Sequence, residues 1–326
     1  MLTLYRATSA GLQLADGAAS GDALGGDIAW IDLNEPAAEE SARVAKWLGV
    51  DLPSREDMQE IEVSSRIYED DSALVMIFST LINVDADHPA MTEVALIVTD
   101  RAVVTIRYAE PRWFAQFVQR SQKLGANCSR PVFVAITMFE TVIDRIADVL
   151  EKTSLDADAV SRSIFDRQNR RPINGAVLRD RITRISRVVL LSAKARESLI
   201  TISRAVVFLT ASSKSSERSR AVKAHLAAAR NDAEQLAGYT NYLSDKASFL
   251  LDATVGLINI EQNNIIKFFS IAATAMMPPT LIASVYGMNF HHMPELDVPW
   301  AYPVVILAMV AAAVLPYFFF RFKGWL

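Results

Sequence analysis

The sequence predicts an α+β cytosolic domain, with an α/β N-terminal part and a long helical stalk, followed by two C-terminal transmembrane helices. The first observation behind this is the distribution of charge. Of the first 267 residues 66 are charged, about 25%, whereas only 4 of the last 59 are charged, about 7%. The second is that short β-type runs occur only before residue 110. The third is a proline-free segment, 217–277, that leads directly into the uncharged part of the chain.

Composition excludes several classes of protein. A net charge of −4 over 326 residues offers no basic stripe of the kind that nucleic-acid binding requires. The single cysteine, Cys128, rules out an intrachain disulfide or a metal site with several cysteine ligands. No segment matches the phosphate loop of ATP-driven pumps, so we expect no nucleotide partner. The first thirty residues contain no apolar stretch of signal-peptide length, and we therefore expect the N-terminus to stay in the cytoplasm.

The α/β part is predicted to cover residues 1–127. Runs of apolar and β-branched residues indicate strands at 28–33, 73–80, 93–100 and 102–108. The last two strands are predicted to form a hairpin around Asp100 and Arg101. Helical patterns lie between and after the strands, at 36–48, 55–62 and 111–123.

The stalk is predicted to cover residues 128–267, where the β signal is absent. Helical patterns occupy 133–165 and 176–211, with a break at 171–175 and a serine-rich turn at 212–216. The last segment of the stalk is predicted to be one helix of ~60 residues, or roughly 90 Å at a rise of ~1.5 Å per residue. Such a helix enters the membrane directly as the first transmembrane segment.

Two uncharged segments, 268–286 and 302–320, are predicted to cross the membrane. Each has 19 residues and spans ~28 Å as a helix, close to the ~30 Å thickness of a hydrocarbon core. The alternative is a pair of buried core helices. Two uncharged segments separated by only 15 residues favour the membrane.

The flanking charges predict the orientation of these helices. Lys267 precedes the first segment, and Arg321 and Lys323 follow the second. The loop 287–301 between the two segments has no lysine or arginine. The positive-inside rule therefore places the loop in the periplasm and both termini, including the tail 321–326, on the cytoplasmic side of the inner membrane.

A stripe of polar and small residues continues along the long helix into the first span. Its mean spacing is close to 3.5 residues, as in coiled coils. Its members are Asp252, Gly256, Asn259, Asn263, Ile266, Ser270, Ala273, Met277, Thr280 and Ser284. One interpretation is a close-packed helix interface. The other is a water-filled pore, which requires several copies of the chain because two spans cannot enclose one.

Asparagine residues near both ends of the first span favour the pore. Asn259, Asn263 and Asn264 precede the span and Asn289 follows it. Their neutral oxygen acceptors suit Mg²⁺, which dehydrates reluctantly, and weak binding allows ions to be released again. Asp252 would add a ring of carboxylates at the cytosolic mouth, although a solvated charge on a helix face explains it equally well.

The loop after the first span carries a motif that resembles the CorA family of magnesium channels. Tyr286-Gly287-Met288-Asn289 ends the span, and Met293-Pro294-Glu295-Leu296 follows shortly after. Other stretches are similar to the proteobacterial CorA type. They are Trp30-Ile31-Asp32-Leu33, the run Ser65-Arg66-Ile67-Tyr68-Glu69-Asp70-Asp71, Ile258-Asn259-Ile260-Glu261-Gln262-Asn263 and the final Lys323-Gly324-Trp325-Leu326.

The resemblance implies a funnel-shaped homopentamer in which the long helix lines the pore. Gly287, Met288 and Asn289 match the selectivity motif, where Asn289 holds hydrated Mg²⁺, and Asp252 matches the acidic cytosolic mouth. Asn263, Met277 and Thr280 match pore-lining positions, and the stripe adds Asn259, Ala273 and Ser284 to the predicted pore lining. Phe269 matches a hydrophobic gate, whereas the stripe by itself places Ser270 inward.

The resemblance also implies a regulatory site. In prokaryotic relatives, Mg²⁺ bound by carboxylates between cytosolic domains holds the channel shut. The stalk carboxylate of that site falls on Ala228 here, so Asp232 is the nearest substitute. Asp70 and Asp71 are further candidates, since they form an acidic run, although such a run is also typical of a solvated surface.

The sequence therefore predicts a channel, not an enzyme, that admits Mg²⁺, and also Co²⁺ or Ni²⁺, down the electrochemical gradient. An inside-negative potential of 100 mV contributes ~4.6 kcal/mol for a divalent ion, so no ATP is needed. Binding of cytosolic Mg²⁺ to the closed arrangement would gate it. No catalytic constellation competes, because His88 and His225 are isolated in the sequence.

Two alternatives remain open. The first is a zinc transporter of the same superfamily, in which the motif tends to be Gly-Val-Asn, so that Met288 argues against it. The adjacent His291 and His292 in the outer loop are compatible with Zn²⁺ or Ni²⁺, which imidazole suits. The second is a membrane-anchored sensor or scaffold, which has no need for Asn289 and Thr280 along the pore helix.

Overall fold

In the computed structural model, the described residues are 1–15, 24–60, 62–70, 73–86, 88–166, 175–212, 220–289, 293–294 and 298–324. Several predicted features lie outside them. These are Asp71, most of the break at 171–175, most of the turn at 212–216, and His291 with His292.

Seven strands form one mixed sheet in the order β2-β1-β3-β7-β6-β5-β4. Their bounds are β1 Leu2–Ala7, β2 Leu12–Leu14, β3 Ile28–Asn34, β4 Ile67–Asp70, β5 Ala73–Ile82, β6 Ala90–Thr99 and β7 Val103–Arg107. The pairing of β3 with β7 is parallel, and the remaining neighbours are antiparallel. All four predicted strands are present. The sequence patterns did not identify β1, β2 and β4, which are short or largely half-exposed and so carry no long apolar run.

The predicted hairpin between β6 and β7 is confirmed, and a threonine explains how it closes without glycine. The Thr99 hydroxyl accepts hydrogen bonds from the backbone amides of Arg101 and Ala102, at 3.2 and 3.0 Å. It also donates to the carbonyl of Ala102 at 2.8 Å. This side chain therefore satisfies the polar groups that the tight turn leaves open.

The helices agree closely with the sequence patterns. They are α1 Ala38–Leu48, α2 Arg55–Gln59, α3 Val63–Arg66, α4 Arg112–Ser121, α5 Pro131–Phe165, α6 Gly175–Ala211, α7 Arg220–Tyr286 and α8 Ala301–Phe322, with a 3₁₀ turn at Gly125–Ser129. The predicted helix 55–62 is shorter than expected. It begins with Ser54 and Asp57 capping each other's backbone amides, but ends at Gln59.

The two faces of the sheet bury different helices, because successive side chains of a strand point to opposite faces. Ile31 and Ile77 face α1 and α2, whereas Trp30 and Phe78 face α4, α5, α6 and the first part of α7. Met1–Asp166 and Arg179–Leu251 consequently form one compact unit. The predicted boundary between residues 127 and 128 thus separates two segments that share a hydrophobic core.

A buried ion pair joins the two parallel strands. Arg107 on β7 donates from Nε and Nη2 to both carboxylate oxygens of Asp32 on β3, at 3.0–3.3 Å. The Thr105 hydroxyl donates to the same carboxylate at 2.8 Å, and in turn accepts from the Trp30 indole at 3.0 Å. Burial raises the pKa of Asp32 in spite of the guanidinium beside it.

The long helix α7 has 67 residues, or about 100 Å at ~1.5 Å per residue. It is continuous from the stalk through the first predicted span, as the sequence predicts. Both α7 and α8 are long and apolar enough to cross a membrane. None of the residues of α8 is buried, which suits a helix surrounded by lipid.

Replacing Lys246 with alanine is expected to lower the thermal unfolding midpoint slightly. Lys246 on α7 donates to Asp158 on α5 at 2.6 Å, and this hydrogen bond lowers the pKa of Asp158 and raises that of Lys246. Asp158 is 44% exposed, so the pair contributes no more than ~0.2–1 kcal/mol. Because the Asp158 pKa is depressed, the contribution is present above ~3.9 and disappears as the pH falls below that value.

The measurement is thermal unfolding of the full chain, followed by circular dichroism at neutral and acidic pH. Lys223→Ala is the control, because Lys223 is exposed on the same helix and takes part in no ion pair within the described part of the chain. A difference between Lys246→Ala and the wild type that persisted in acid would contradict the prediction.

Candidate ion-conduction site

The predicted pore-lining residues all lie on α7, and all of them are exposed in a single chain. This holds for the three polar residues Asp252, Asn259 and Asn263 before the span. It holds equally for the positions within it, Phe269, Ala273, Met277, Thr280 and Ser284. The side chains of Phe269 and Met277 are 66% and 70% exposed. One chain therefore presents a complete stripe that it does not cover itself.

The helix geometry bears on which residue continues the stripe at its middle. At about 100° per residue, Ser270 lies ~20° from the direction of Asn259, whereas Phe269 lies ~80° away. Asn263, Met277 and Ser284 all fall within ~40° of that direction. A straight α7 thus places Ser270 near the centre of the stripe and Phe269 at its edge, and bringing Phe269 to the centre would need a rotation of the helix by ~80°.

The outer end of α7 positions the Gly-Met-Asn motif. The backbone amide of Gly287 still donates to the carbonyl of Ala283 at 2.9 Å, and that of Met288 donates to Val285 at 3.3 Å. The helical hydrogen bonds therefore continue into the motif, although the helix itself ends at Tyr286. Asn289 is the first residue beyond these bonds, and it is exposed. Its amide oxygen is accordingly available to a ligand at the end of the stripe.

An apolar cavity of about 380 Å³ lies beside this motif, between the end of α7 and the beginning of α8. Ala283, Tyr286 and Gly287 line it from α7, and Val298 and Tyr302 line it from the other side. No local sequence pattern marks this cavity, because it exists only where the two helices lie next to each other.

Replacing Gly287 with alanine is expected to reduce ion uptake without abolishing it. A Cβ atom at this position would lie 3.1 Å from the carbonyl oxygen of Ala283, closer than ordinary van der Waals contact. The last turn of α7 must then shift by a few tenths of an ångström, which displaces Asn289. The measurement is ion flux into liposomes. Gly238→Ala is the control, because nothing lies within 4 Å of the added methyl there.

The candidate regulatory carboxylates do not form a metal site within one chain. Asp232 is exposed on α7, and Asp70 is exposed at the end of β4, while Asp71 lies outside the described residues. Among the residues that the structure describes, no group of three or more His, Cys, Asp or Glu side chains is arranged to hold a metal ion.

Comparison with known proteins agrees with this geometry. Residues 25–321 match the family model described as CorA-like Mg2+ transporter protein. The chain is 34% identical over 300 residues to the magnesium transport protein CorA of Mannheimia succiniciproducens, covering 91% of this chain and 92% of that protein. It is 35% identical over 301 residues to the CorA of Escherichia coli K12, with the same coverage.

The fold matches a solved structure over its full length. The complete structure of the CorA magnesium transporter from Methanocaldococcus jannaschii superposes with a TM-score of 0.77. The match covers 100% of this chain and 99% of that one, at 17% identity. At this level of identity the likeness establishes the fold, including the long helix and the two C-terminal helices.

Proposed function

The chain belongs to the CorA-like Mg2+ transporter family, and from this premise we propose that it is a Mg²⁺ channel whose pore is lined by α7. The observation that carries the proposal is the exposed stripe on α7, which runs without interruption to the Gly-Met-Asn motif. Small and polar residues on one face also occur at packed helix interfaces, but such an interface does not require the exposed amide of Asn289 beyond the helix end. A conduit for a hydrated cation requires both.

The proposed assembly is a homopentamer in the inner membrane, with both termini in the cytoplasm. A single chain offers two helices long and apolar enough to cross a membrane and an uncovered stripe, so the pore must be shared among several copies. In that arrangement α7 faces the pore and α8, which has no buried residue, faces the lipid.

The proposed chemistry keeps Mg²⁺ hydrated. Five copies of Asn289 would accept hydrogen bonds from the water shell at the outer entrance, and Asp252 would attract the cation at the cytosolic mouth. The membrane potential drives the ion inward at ~4.6 kcal/mol per 100 mV for two charges. Co²⁺ and Ni²⁺, which also carry tightly held water shells, are proposed as further permeant ions.

Gating by cytosolic Mg²⁺ is proposed to act between neighbouring chains. Asp232 and Asp70 are exposed on different elements, and Asp71 follows Asp70 directly in the sequence. Mg²⁺ that bridges such carboxylates across an interface stabilises the closed arrangement, and its loss when Mg²⁺ is depleted releases the channel.

The experiment that tests this function is flux into liposomes that contain the purified protein. Mg²⁺, Co²⁺, Ni²⁺ and Zn²⁺ are compared, each with and without a pH gradient. We expect Mg²⁺ entry that follows the membrane potential and does not respond to the pH gradient. Zn²⁺ entry that required the gradient would favour the zinc transporter. A complete lack of flux would favour the membrane-anchored sensor or scaffold.

A further inference from the structure

A polar cavity of about 820 Å³ lies in the cytosolic unit, between α6, α7 and the end of α3. Its charged and hydroxyl-bearing lining includes Arg66, Ser192, Arg196, Glu197, Arg204 and Asp245. None of these residues belongs to the conduction stripe or to the candidate regulatory carboxylates. The cavity therefore has no role in the transport proposal.

One face of α6 supplies most of the positive charge. Ser192, Arg196 and Arg204 all line the cavity from α6, and Arg196 and Arg204, eight residues apart, project ~80° apart around the helix axis. Along the axis, Arg196 and Arg204 are separated by ~12 Å. Both are exposed, and within the described part of the chain neither forms an ion pair. Their guanidinium groups are free to bind an anion.

Two buried polar atoms in the cavity lack partners among the described residues. The Ser192 side chain is fully buried, and its hydroxyl has no hydrogen-bond partner. The Nε atom of Arg66 is also buried without a partner, although its Nη2 donates to the carbonyl of Met58 at 3.2 Å. An unsatisfied buried polar atom costs about 1–3 kcal/mol, so two such atoms on residues that line one cavity favour a polar occupant over an apolar one.

The distribution of charge restricts the chemistry of that ligand. Guanidinium groups match the geometry of phosphate oxygens, and the long side chains of two arginines ~12 Å apart along the axis can converge on neighbouring phosphates of one anion. Glu197 and Asp245 line the same cavity and repel a bare polyanion. A divalent cation removes this repulsion, since Mg²⁺ is commonly held by one or two carboxylates together with phosphate oxygens.

We propose that this cavity binds a Mg²⁺-chelated diphosphate group, with Arg196 and Arg204 on its phosphates and Glu197 and Asp245 beside its Mg²⁺. The group is either inorganic diphosphate or the diphosphate of a nucleotide. The lack of a phosphate-loop motif argues against nucleotide-driven pumping. It does not argue against this site, which binds a diphosphate group without hydrolysing it. Binding in this cavity would link the cellular supply of diphosphate to a protein proposed to carry Mg²⁺, the counter-ion of that group.

The test is isothermal titration calorimetry on the purified full chain in detergent, with diphosphate added at a constant concentration of free Mg²⁺. We expect one saturable site per chain. The double variant Arg196→Ala/Arg204→Ala is expected to bind at least about tenfold more weakly, because each charge-assisted bond contributes ~1.5–3 kcal/mol. Arg184→Ala is the matched control, since Arg184 lies on the same helix outside the cavity and pairs with Asp156 at 3.7 Å.

Further titrations identify which molecule supplies the diphosphate group and whether Mg²⁺ is needed for binding. ADP is titrated in place of inorganic diphosphate, and binding of either one supports the proposal and identifies the source. Orthophosphate, and diphosphate without Mg²⁺, are both expected to bind at least about tenfold more weakly. Equal binding in either of these arms would overturn the proposed ligand.

The remaining outcomes concern the cavity itself. No binding of either diphosphate source, or equal binding by the double variant at an unchanged unfolding midpoint, would overturn the site. If the wild type binds no diphosphate and the double variant changes the oligomeric state, a second copy of the chain covers the cavity. Calorimetry measures binding and not ion flux. A failure to bind diphosphate is therefore distinguishable from a failure of the transport proposal.

Discussion

Replacing Asn289 with alanine is expected to abolish Mg²⁺ uptake, to the level of protein-free liposomes, while the oligomer stays intact. Asn289 is the first exposed side chain beyond the last helical hydrogen bonds of α7, and its amide oxygen is the acceptor proposed to hold the hydrated ion. Alanine removes that acceptor from every copy at once, so the ring loses all of its ligands. The backbone beyond the helix end needs no side chain at this position, and assembly should not change.

The control for this variant is an amide that lies away from the stripe. The sequence pattern groups Asn264 with the acceptors that favour the pore, but on α7 it is exposed about 140° away from the direction of Asn259 and therefore lies outside the stripe. Asn264→Ala should therefore leave Mg²⁺ flux and oligomeric state unchanged. Flux is measured with a Mg²⁺-sensitive dye inside liposomes, and the oligomer by size-exclusion chromatography with light scattering. Unchanged uptake by assembled Asn289→Ala protein would remove this residue from the conduction path.

Replacing Arg107 with leucine is expected to lower the free energy of unfolding by about 3–5 kcal/mol at neutral pH. Asp32 and Arg107 are 2% and 6% exposed, and the guanidinium donates to both carboxylate oxygens. Its Nη1 also donates to the carbonyl of Ala109 at 2.9 Å, and its Cζ atom lies 4.0 Å from the ring centre of Phe114. The variant leaves the Asp32 carboxylate buried without a cation.

The pH dependence of this variant has a definite sign. Burial already raises the pKa of Asp32 above its usual range, and the loss of Arg107 raises it further. A carboxyl group with a raised pKa in the folded state destabilises the protein increasingly as the pH rises through that value. The difference between Arg107→Leu and the wild type should therefore shrink in acid, where Asp32 is protonated in both.

The measurement is denaturant unfolding of the full chain in detergent, followed by tryptophan fluorescence. Trp30 is fully buried and hydrogen-bonded into the same network, so it reports directly on this region. Arg101→Leu is the control, because Arg101 is exposed in the adjacent hairpin. The double variant Asp32→Leu/Arg107→Leu should recover much of the loss, since it leaves no unpaired charge. A double variant as unstable as Arg107→Leu alone would contradict this explanation.

The position of the proposed conduction residues along one exposed helix could be predicted from the sequence, and their role in conduction stays a prediction. The motif Gly287-Met288-Asn289 is contiguous, and the stripe repeats at a helical period within a single element. Both features depend on local order along one helix, which the pattern of residues specifies. The regulatory carboxylates Asp70 and Asp232 are different, because a shared site depends on how separate chains meet. They stay a prediction.

The sequence by itself predicted the two long apolar segments, four of the seven described strands, most of the helices and the continuous α7, because charge content and apolar periodicity are local properties of the chain. Only the tertiary structure decided that the α/β part and the stalk share one core. It also brought Asp32 to Arg107, 75 residues away, and Arg66 to α6. These contacts depend on which faces pack together, and no short stretch of sequence carries that information.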